Sequence, residues 1–208
     1  MRERALWARG IARVAGIDEV GIGPLAGPVV AAAVILPPHR TIDGVRDSKT
    51  LSRKQRERLD GDIRAAAVGI GVGLVGPADV DRLNPYQAGL LAMQRAVDAL
   101  PHRPDHLLID ARTLPEADTP QTPVVAGDRS VHAIAAASIV AKVYRDALMR
   151  EMDARYPGYG FARHVGYATA LHLAALRRLG PCAVHRRSYA PVRALLGTTP
   201  SADTVGRT

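Results

Sequence analysis

At 208 residues, 47% of them hydrophobic, the chain is long enough for one domain with a sizeable core. Lys and Arg number 28 against 20 Asp and Glu, and the resulting charge of +8 favours a polyanionic partner, nucleic acid before anionic membrane. The single cysteine, Cys182, excludes an internal disulfide and a multi-cysteine zinc centre.

The N-terminal MRERALWARG lacks the sustained apolar region of a secretion signal, so residues 1–12 read as a basic lead-in. The longest apolar run, Pro24 to Pro38, is shorter than the roughly 20 residues a membrane helix needs and contains Gly and Pro. A cytoplasmic protein without a membrane partner is expected. Val14–Val20 and Val29–Leu36 predict two strands joined by the turn Gly21-Ile22-Gly23. Residues 37–50 predict a polar loop ending in DSKT. Ser52 with Gln55 predicts a capping box at the head of a helix running to about Ala66. The alternating VGIGVGLV of 68–75 predicts a strand with one face hard against a neighbour. Asn84 and Pro85 predict the start of a helix carrying Leu90, Met93, Val97 and Leu100 on one face. Two short strands follow, His106–Ile109 and Pro123–Ala126, each delivering an acid at its end, Asp110 and Asp128. Residues 131–154 predict the longest helix, with Ala135–Ala137 and Ser138 small enough for close packing on the sheet. A basic helix near Ala168–Leu179 follows the loop YPGYGFARHVGYAT, and 197–208 reads as a disordered tail. The whole predicts a single domain over 1–196, an α/β sheet of mixed direction flanked by helices, with a C-terminal helical segment.

Four acids stand out by position. A strand-end Asp taken alone more often caps a turn, but Asp18 and Glu19 lie inside an apolar strand, where ionised carboxylates are costly without compensation. Side chains alternate along a strand, so the two face opposite sides unless the sheet edge or a bulge lets both turn inward. Four converging carboxylates would repel unless a divalent cation neutralised them. Oxygen-only ligands favour Mg²⁺ or Mn²⁺, and a basic body around such a site suits phosphodiester hydrolysis with two metals. Lysine is scarce in this arginine-rich chain, being confined to Lys49, Lys54 and Lys142, so each invites a local reason. Cys182 and His185 spell C-x-x-H, but two ligands do not make a zinc site.

The segments GIDEVGIGPLAGPVVAAAVI, DSKTLS, LIDA, GDRSVHAIAAASIVAKVYRD, YPGYGFARHVGYAT and LGPCAVHRRSYAPV resemble, in order from about Val14 to Val192, the successive motifs of bacterial ribonuclease HII. The resemblance implies a ribonuclease H-like fold, Mg²⁺ or Mn²⁺ as cofactor, and cleavage of the RNA strand of RNA–DNA hybrids. It also implies incision of duplex DNA 5′ of a single embedded ribonucleotide, leaving a 3′-hydroxyl and a 5′-phosphate. Its metal-binding acids fall on Asp18, Glu19, Asp110 and Asp128. Its substrate-reading positions fall on Gly21, Ile22 and Gly23, on Lys49, Ser138 and Lys142, and on Tyr167, which matches a tyrosine that stacks at the RNA–DNA junction. The chain departs from the family pattern at Ile22, where the turn normally reads Gly-Arg-Gly, and at Gly89 and Tyr144, where threonine is common. Ile22 opens an alternative: a relative that binds RNA–DNA junctions but cleaves poorly. The tail carries no evident sliding-clamp motif, and nothing demands more than a monomer.

Overall fold

The computed structural model describes residues 2–196, so the tail expected at 197–208 lies outside the described residues. The sheet has the order β3-β2-β1-β4-β5, built from β1 (Val14–Val20), β2 (Val29–Ile35), β3 (Gly69–Val75), β4 (His106–Asp110) and β5 (Gln121–Val124). β2 pairs antiparallel with both β1 and β3, while β4 runs parallel to β1 and β5 parallel to β4. This is the mixed-direction sheet the sequence predicts. Its parallel half brings the C-terminal ends of β1, β4 and β5 to one edge, where open α/β sheets present ligand sites.

The helices are α1 (Arg2–Trp7), α2 (Arg53–Ala66), α3 (Pro77–Leu83), α4 (Pro85–Asp98), α5 (Gly127–Ser130), α6 (His132–Arg155), α7 (Phe161–His164), α8 (Ala170–Leu179) and α9 (Ala190–Arg193). β2 is buried along its whole length because both its faces are covered. On one face Ile17, Ala31 and Ala33 pack with Ala92, Met93 and Ala96 of α4. On the other, Val30, Ala32 and Val34 meet Leu59 and Ile63 of α2 and Ala136 and Val140 of α6. These clusters are aliphatic and alanine-rich, as a 4% aromatic content predicts. A Cβ on Gly71 or Gly73 would lie 2.0 Å from a carbonyl oxygen of α4. The alternating glycines of β3 therefore let that helix rest directly on the strand. Both predicted helix starts hold: Ser52 and Gln55 form the reciprocal capping box of α2, and the Asn84 side chain accepts from the Gln87 amide at α4.

Several elements differ from expectation, among them α3, where no helix is predicted, and α7, inside the predicted loop. β5 lies two residues earlier than predicted, because Pro123 lacks an N–H yet is tolerated on this edge strand and Ala126, at φ 52°, turns the chain into α5. Asp128 thus sits in the first turn of a short helix. The basic lead-in contains α1, which buries Leu6 and places the Glu3 carboxylate 3.1 Å from the Ala133 amide. That contact caps α6, whose own N-cap, Val131, has no capping side chain.

The C-terminal segment has its own core, with Tyr159 and Phe161 beside Met149 and Leu176. Cys182 Sγ lies 3.1 Å from His185 Nδ1, His185 Nε2 lies 3.1 Å from His172 Nε2, and His172 stacks on His164 at 4.3 Å between centroids. Among the described residues no group of acids, histidines and cysteines forms a metal cage, so Cys182 is a packed thiol, raised above its ordinary pKa by burial. Burial first, then the neighbouring histidine charge, lowers His185 to about 4, and burial also lowers His172. The unfolded chain therefore takes up protons near pH 6.5 that the folded protein refuses until about pH 4. Stability from this cluster is present at neutral pH and lost as pH falls between those values. The melting-temperature advantage of wild type over His185→Gln should shrink from pH 7 to pH 4.5; parallel curves would refute the linkage.

Candidate active site

The parallel ladder between β1 and β4 ends with Ile17 opposite Ile109, so the next residue on each strand is an acid, Asp18 and Asp110. Asp18 and Glu19 take opposite faces of the sheet, as strand alternation requires. Asp18 faces α6, where the nearby Ser138 hydroxyl favours its charged form; that hydroxyl lies 2.9 Å from Ser48 Oγ. Glu19 faces the α4 side, its Oε1 3.0 Å from Arg112 Nη2. Asp110 Oδ1 accepts from the Gly127 amide at 2.7 Å, which docks α5 onto the end of β4. The next residue, Asp128, is buried and lies 3.6 Å from Lys49 Nζ.

Burial pushes the Asp18 carboxyl well above the ordinary carboxylate range, and the charges of Glu19 and Asp110 act in the same direction. Glu19 is also raised, by burial first and by Asp110, against the opposing pull of Arg112 and Lys49. The edge thus collects negative charge at a cost, which a cation would reverse. Every donor offered by these four residues is a carboxylate oxygen, the set suited to Mg²⁺ or Mn²⁺. Among the described residues the acids form no ready-made cage for a metal ion. Such an edge fits a hard cation that completes its shell with water and substrate oxygens.

The glycine turn is held from beneath by two arginines that are fully buried. Arg186 donates from Nη2 to the Gly21 and Gly27 carbonyls at 2.6 and 2.8 Å, and from Nη1 to the Ile22 carbonyl at 2.8 Å. Arg145 donates to the carbonyls of Pro28, Val165 and Ala26 at 2.9, 2.9 and 3.1 Å. Burial lowers Arg145 to about 10, so it stays cationic at neutral pH. Gly21 has φ 93°, and a Cβ there would lie 2.3 Å from Arg145 Nε, so glycine is needed for both reasons. The Tyr189 hydroxyl also donates to the Ile22 carbonyl. Asp81 of α3 anchors the backbone beyond Arg186 by accepting from the Arg187 and Ser188 amides at 2.7 and 2.9 Å.

The remaining sequence-selected residues surround this turn and the acids. Gly23 is exposed, and the ring of exposed Tyr167 lies 3.8 Å from the Cβ position of Gly23. Ile22 packs against the α4-side core. Lys49 is largely exposed, whereas Lys142 is ion-paired to Asp146 on its own helix at 2.7 Å. Sequence reasoning passed over Arg112, Arg145 and Arg186. In a chain this rich in arginine, residue type alone does not mark the few that are buried.

The sequence model of the family described as Ribonuclease HII matches residues 15–192. The chain is 56% identical over 198 residues to ribonuclease HII of Anaeromyxobacter sp. strain Fw109-5, covering 95% of this chain and 63% of that protein. It is 57% identical over 195 residues to ribonuclease HII of Geobacillus thermodenitrificans strain NG80-2, covering 94% of this chain and 75% of that one. The chain thus spans a little under two thirds of the first relative's length. Among solved structures, ribonuclease H2 from Pyrococcus horikoshii OT3 superposes with a TM-score of 0.72 at 23% identity, covering 88% of this chain and 96% of that one. The fold is the ribonuclease H-like sheet that the motifs imply.

Proposed function

The chain belongs to the ribonuclease HII family, hydrolytic nucleases, and on that premise we propose that it is a metal-dependent endoribonuclease. Its substrates are the RNA strand of RNA–DNA hybrids and single ribonucleotides embedded in duplex DNA, incised on the 5′ side to give 3′-hydroxyl and 5′-phosphate ends. The observation that carries this reading is the acid edge: Asp18 and Glu19 on one strand, Asp110 on its parallel neighbour and Asp128 tied in through Gly127. These four carboxylates hold the divalent cations, Mg²⁺ or Mn²⁺. Bound there, the cations supply an activated water and neutralise charge on the leaving oxygen. Ser138 and Ser48 orient Asp18. The stiffened backbone of Gly21, Ile22 and Gly23 meets the ribose 2′-hydroxyl, and Tyr167 beside Gly23 stacks at the junction. Lys49 and Lys142 contact phosphates, and the charge of +8 supplies a salt-dependent grip on the duplex.

Incubation with a DNA duplex bearing one ribonucleotide, with Mg²⁺, with Mn²⁺ and with chelator, tests the reading. A single incision 5′ of the ribonucleotide, dependent on metal, is expected; cutting of an all-DNA duplex would refute it. A second reading, an attenuated relative that binds junctions but cleaves poorly, draws on the apolar packing of Ile22 in the turn. It predicts tight binding with the strand left intact. Tyr167→Ala should reduce cleavage at a single ribonucleotide more than cleavage within a long hybrid, because stacking at a junction defines the first task alone. Equal losses on both substrates would return Tyr167 to general packing.

A further inference from the structure

We propose that Arg112 is a substrate-binding residue that supplies, from the loop after β4, a phosphate-gripping guanidinium which the Gly21-Ile22-Gly23 turn lacks. In this structure it pairs with Glu19. The proposal rests on the reading of Asp18, Glu19, Asp110 and Asp128 as the cation-holding edge.

Three observations place Arg112. Its Nη2 lies 3.0 Å from Glu19 Oε1, with both side chains mostly buried. Its Cζ lies 4.9 Å from the centroid of the exposed Tyr86 ring, and Nη1 lies 3.4 Å from the Tyr86 carbonyl oxygen. Its fork also occupies a slot over Gly89: a Cβ there would lie 2.5 Å from Arg112 Nη1 and 3.1 Å from Ile22 Cδ1. Arg112 Nη1 and Ile22 Cδ1 therefore both reach into the space above Gly89, a residue without a side chain. A long cationic side chain at 22 would contest that slot and repel the guanidinium already in it. The apolar Ile22 and the bare Gly89 together make room for a guanidinium that arrives from a different strand.

The chemistry of exchange follows from shape. Guanidinium presents a planar fork of donors that fits a carboxylate or two phosphate oxygens alike. A cation drawn to Glu19 competes with Arg112 for the same oxygens. Once displaced, the fork is left beside the acid edge, where the scissile strand must pass, with the Tyr86 face as its support. Arg112 thus has two partners in sequence, Glu19 before loading and a phosphate after it.

The test separates this role from simple charge balance. Mn²⁺ alone is titrated into the wild-type protein and into Arg112→Met and Arg112→Lys, with thermal melts to verify folding. Arg112→Met should bind Mn²⁺ about threefold more tightly, the scale of losing one partly exposed ion pair, while Arg112→Lys should not. Affinity for an all-DNA duplex, which is expected to stay intact, is then measured with all four acids in place. With Mg²⁺, Arg112→Met should weaken binding about tenfold, the scale of one charge-assisted contact, and much less in chelator, where Arg112 is engaged by Glu19. Adding Ile22→Arg should restore the loss in the Arg112→Met protein and do little where Arg112 is present, a non-additivity that marks a shared role. The proposal is overturned by unchanged or weaker Mn²⁺ binding in Arg112→Met, by equal duplex losses with and without Mg²⁺, or by no recovery from Ile22→Arg. A wild-type protein that takes up no Mn²⁺ refutes the reading of the acid edge itself, and the proposal with it.

Discussion

Asp128→Asn should lower cleavage of a single-ribonucleotide duplex by roughly 10³-fold while leaving duplex affinity unchanged or higher. The substitution keeps the shape of a buried side chain and removes a charge that a divalent cation needs. Losing several kcal/mol of transition-state charge stabilisation corresponds to about three decades of rate at ~1.4 kcal/mol per decade. Binding is spared because removing an anion near the phosphate path relieves repulsion. Asp18→Asn should show the same kinetic loss together with a second signature. The folded protein holds the Asp18 proton to higher pH than the unfolded chain does. Ionising it therefore costs folded-state stability as pH rises from about 4. In chelator, Asp18→Asn should therefore melt higher than wild type, with a gap that widens as pH rises from 4. Near-normal turnover by Asp128→Asn, or a lower melting temperature for Asp18→Asn, would show the acid edge to be misread.

Arg186→Met is the second large effect expected, and it acts through the backbone. The arginine is wholly buried, makes no ion pair among the described residues, and donates to the carbonyls of Gly21, Ile22 and Gly27. Methionine fills much of the volume but leaves those acceptors without their donor, and Arg145 cannot reach across while engaged with Pro28, Ala26 and Val165. Disruption of a buried charged network costs about 3–5 kcal/mol. At roughly 2–4 °C per kcal/mol for a chain of this size, the melting temperature should fall by about 10 °C. Arg186→Lys should fall nearly as far, since a single ammonium cannot span three carbonyls. Cleavage should drop with the melting temperature because the turn loses its support beside the acids. A variant melting within about 2 °C of wild type would show that Tyr189 and Arg145 hold the turn without it.

These effects divide along what the sequence made legible. The succession of strands along the chain, the capping box at Ser52 and the helix start at Asn84 could be read because each depends on residues within one turn or strand of one another. The acids could be singled out because Asp18 and Glu19 contradict the apolar strand around them. The arginine supports could not, since their partners are backbone carbonyls, which every residue has and no sequence marks. Arg186 and Gly21 are 165 positions apart, and nothing local joins them. The cap on α6 is hidden in the same way: Glu3 reaches Ala133 across 130 positions, and the basic lead-in around it suggests no such task. Ile22 could be seen as a departure, yet its physical meaning lies in the slot it shares with Gly89 and Arg112.

The strand order has a consequence for the nascent chain. β3, β2 and β1 are neighbours in sequence and pair antiparallel, so they can associate as a meander soon after they emerge from the ribosome. The other side of β1 must wait for β4, whose residues begin at His106. Until then β1 is an open edge, a template on which strands of other molecules could add. Asp18 and Glu19 stand at the end of that edge, where unscreened like charges disfavour stacking of identical strands. The same two carboxylates would thus guard the half-made sheet during synthesis, before Asp110 and Asp128 exist to join them.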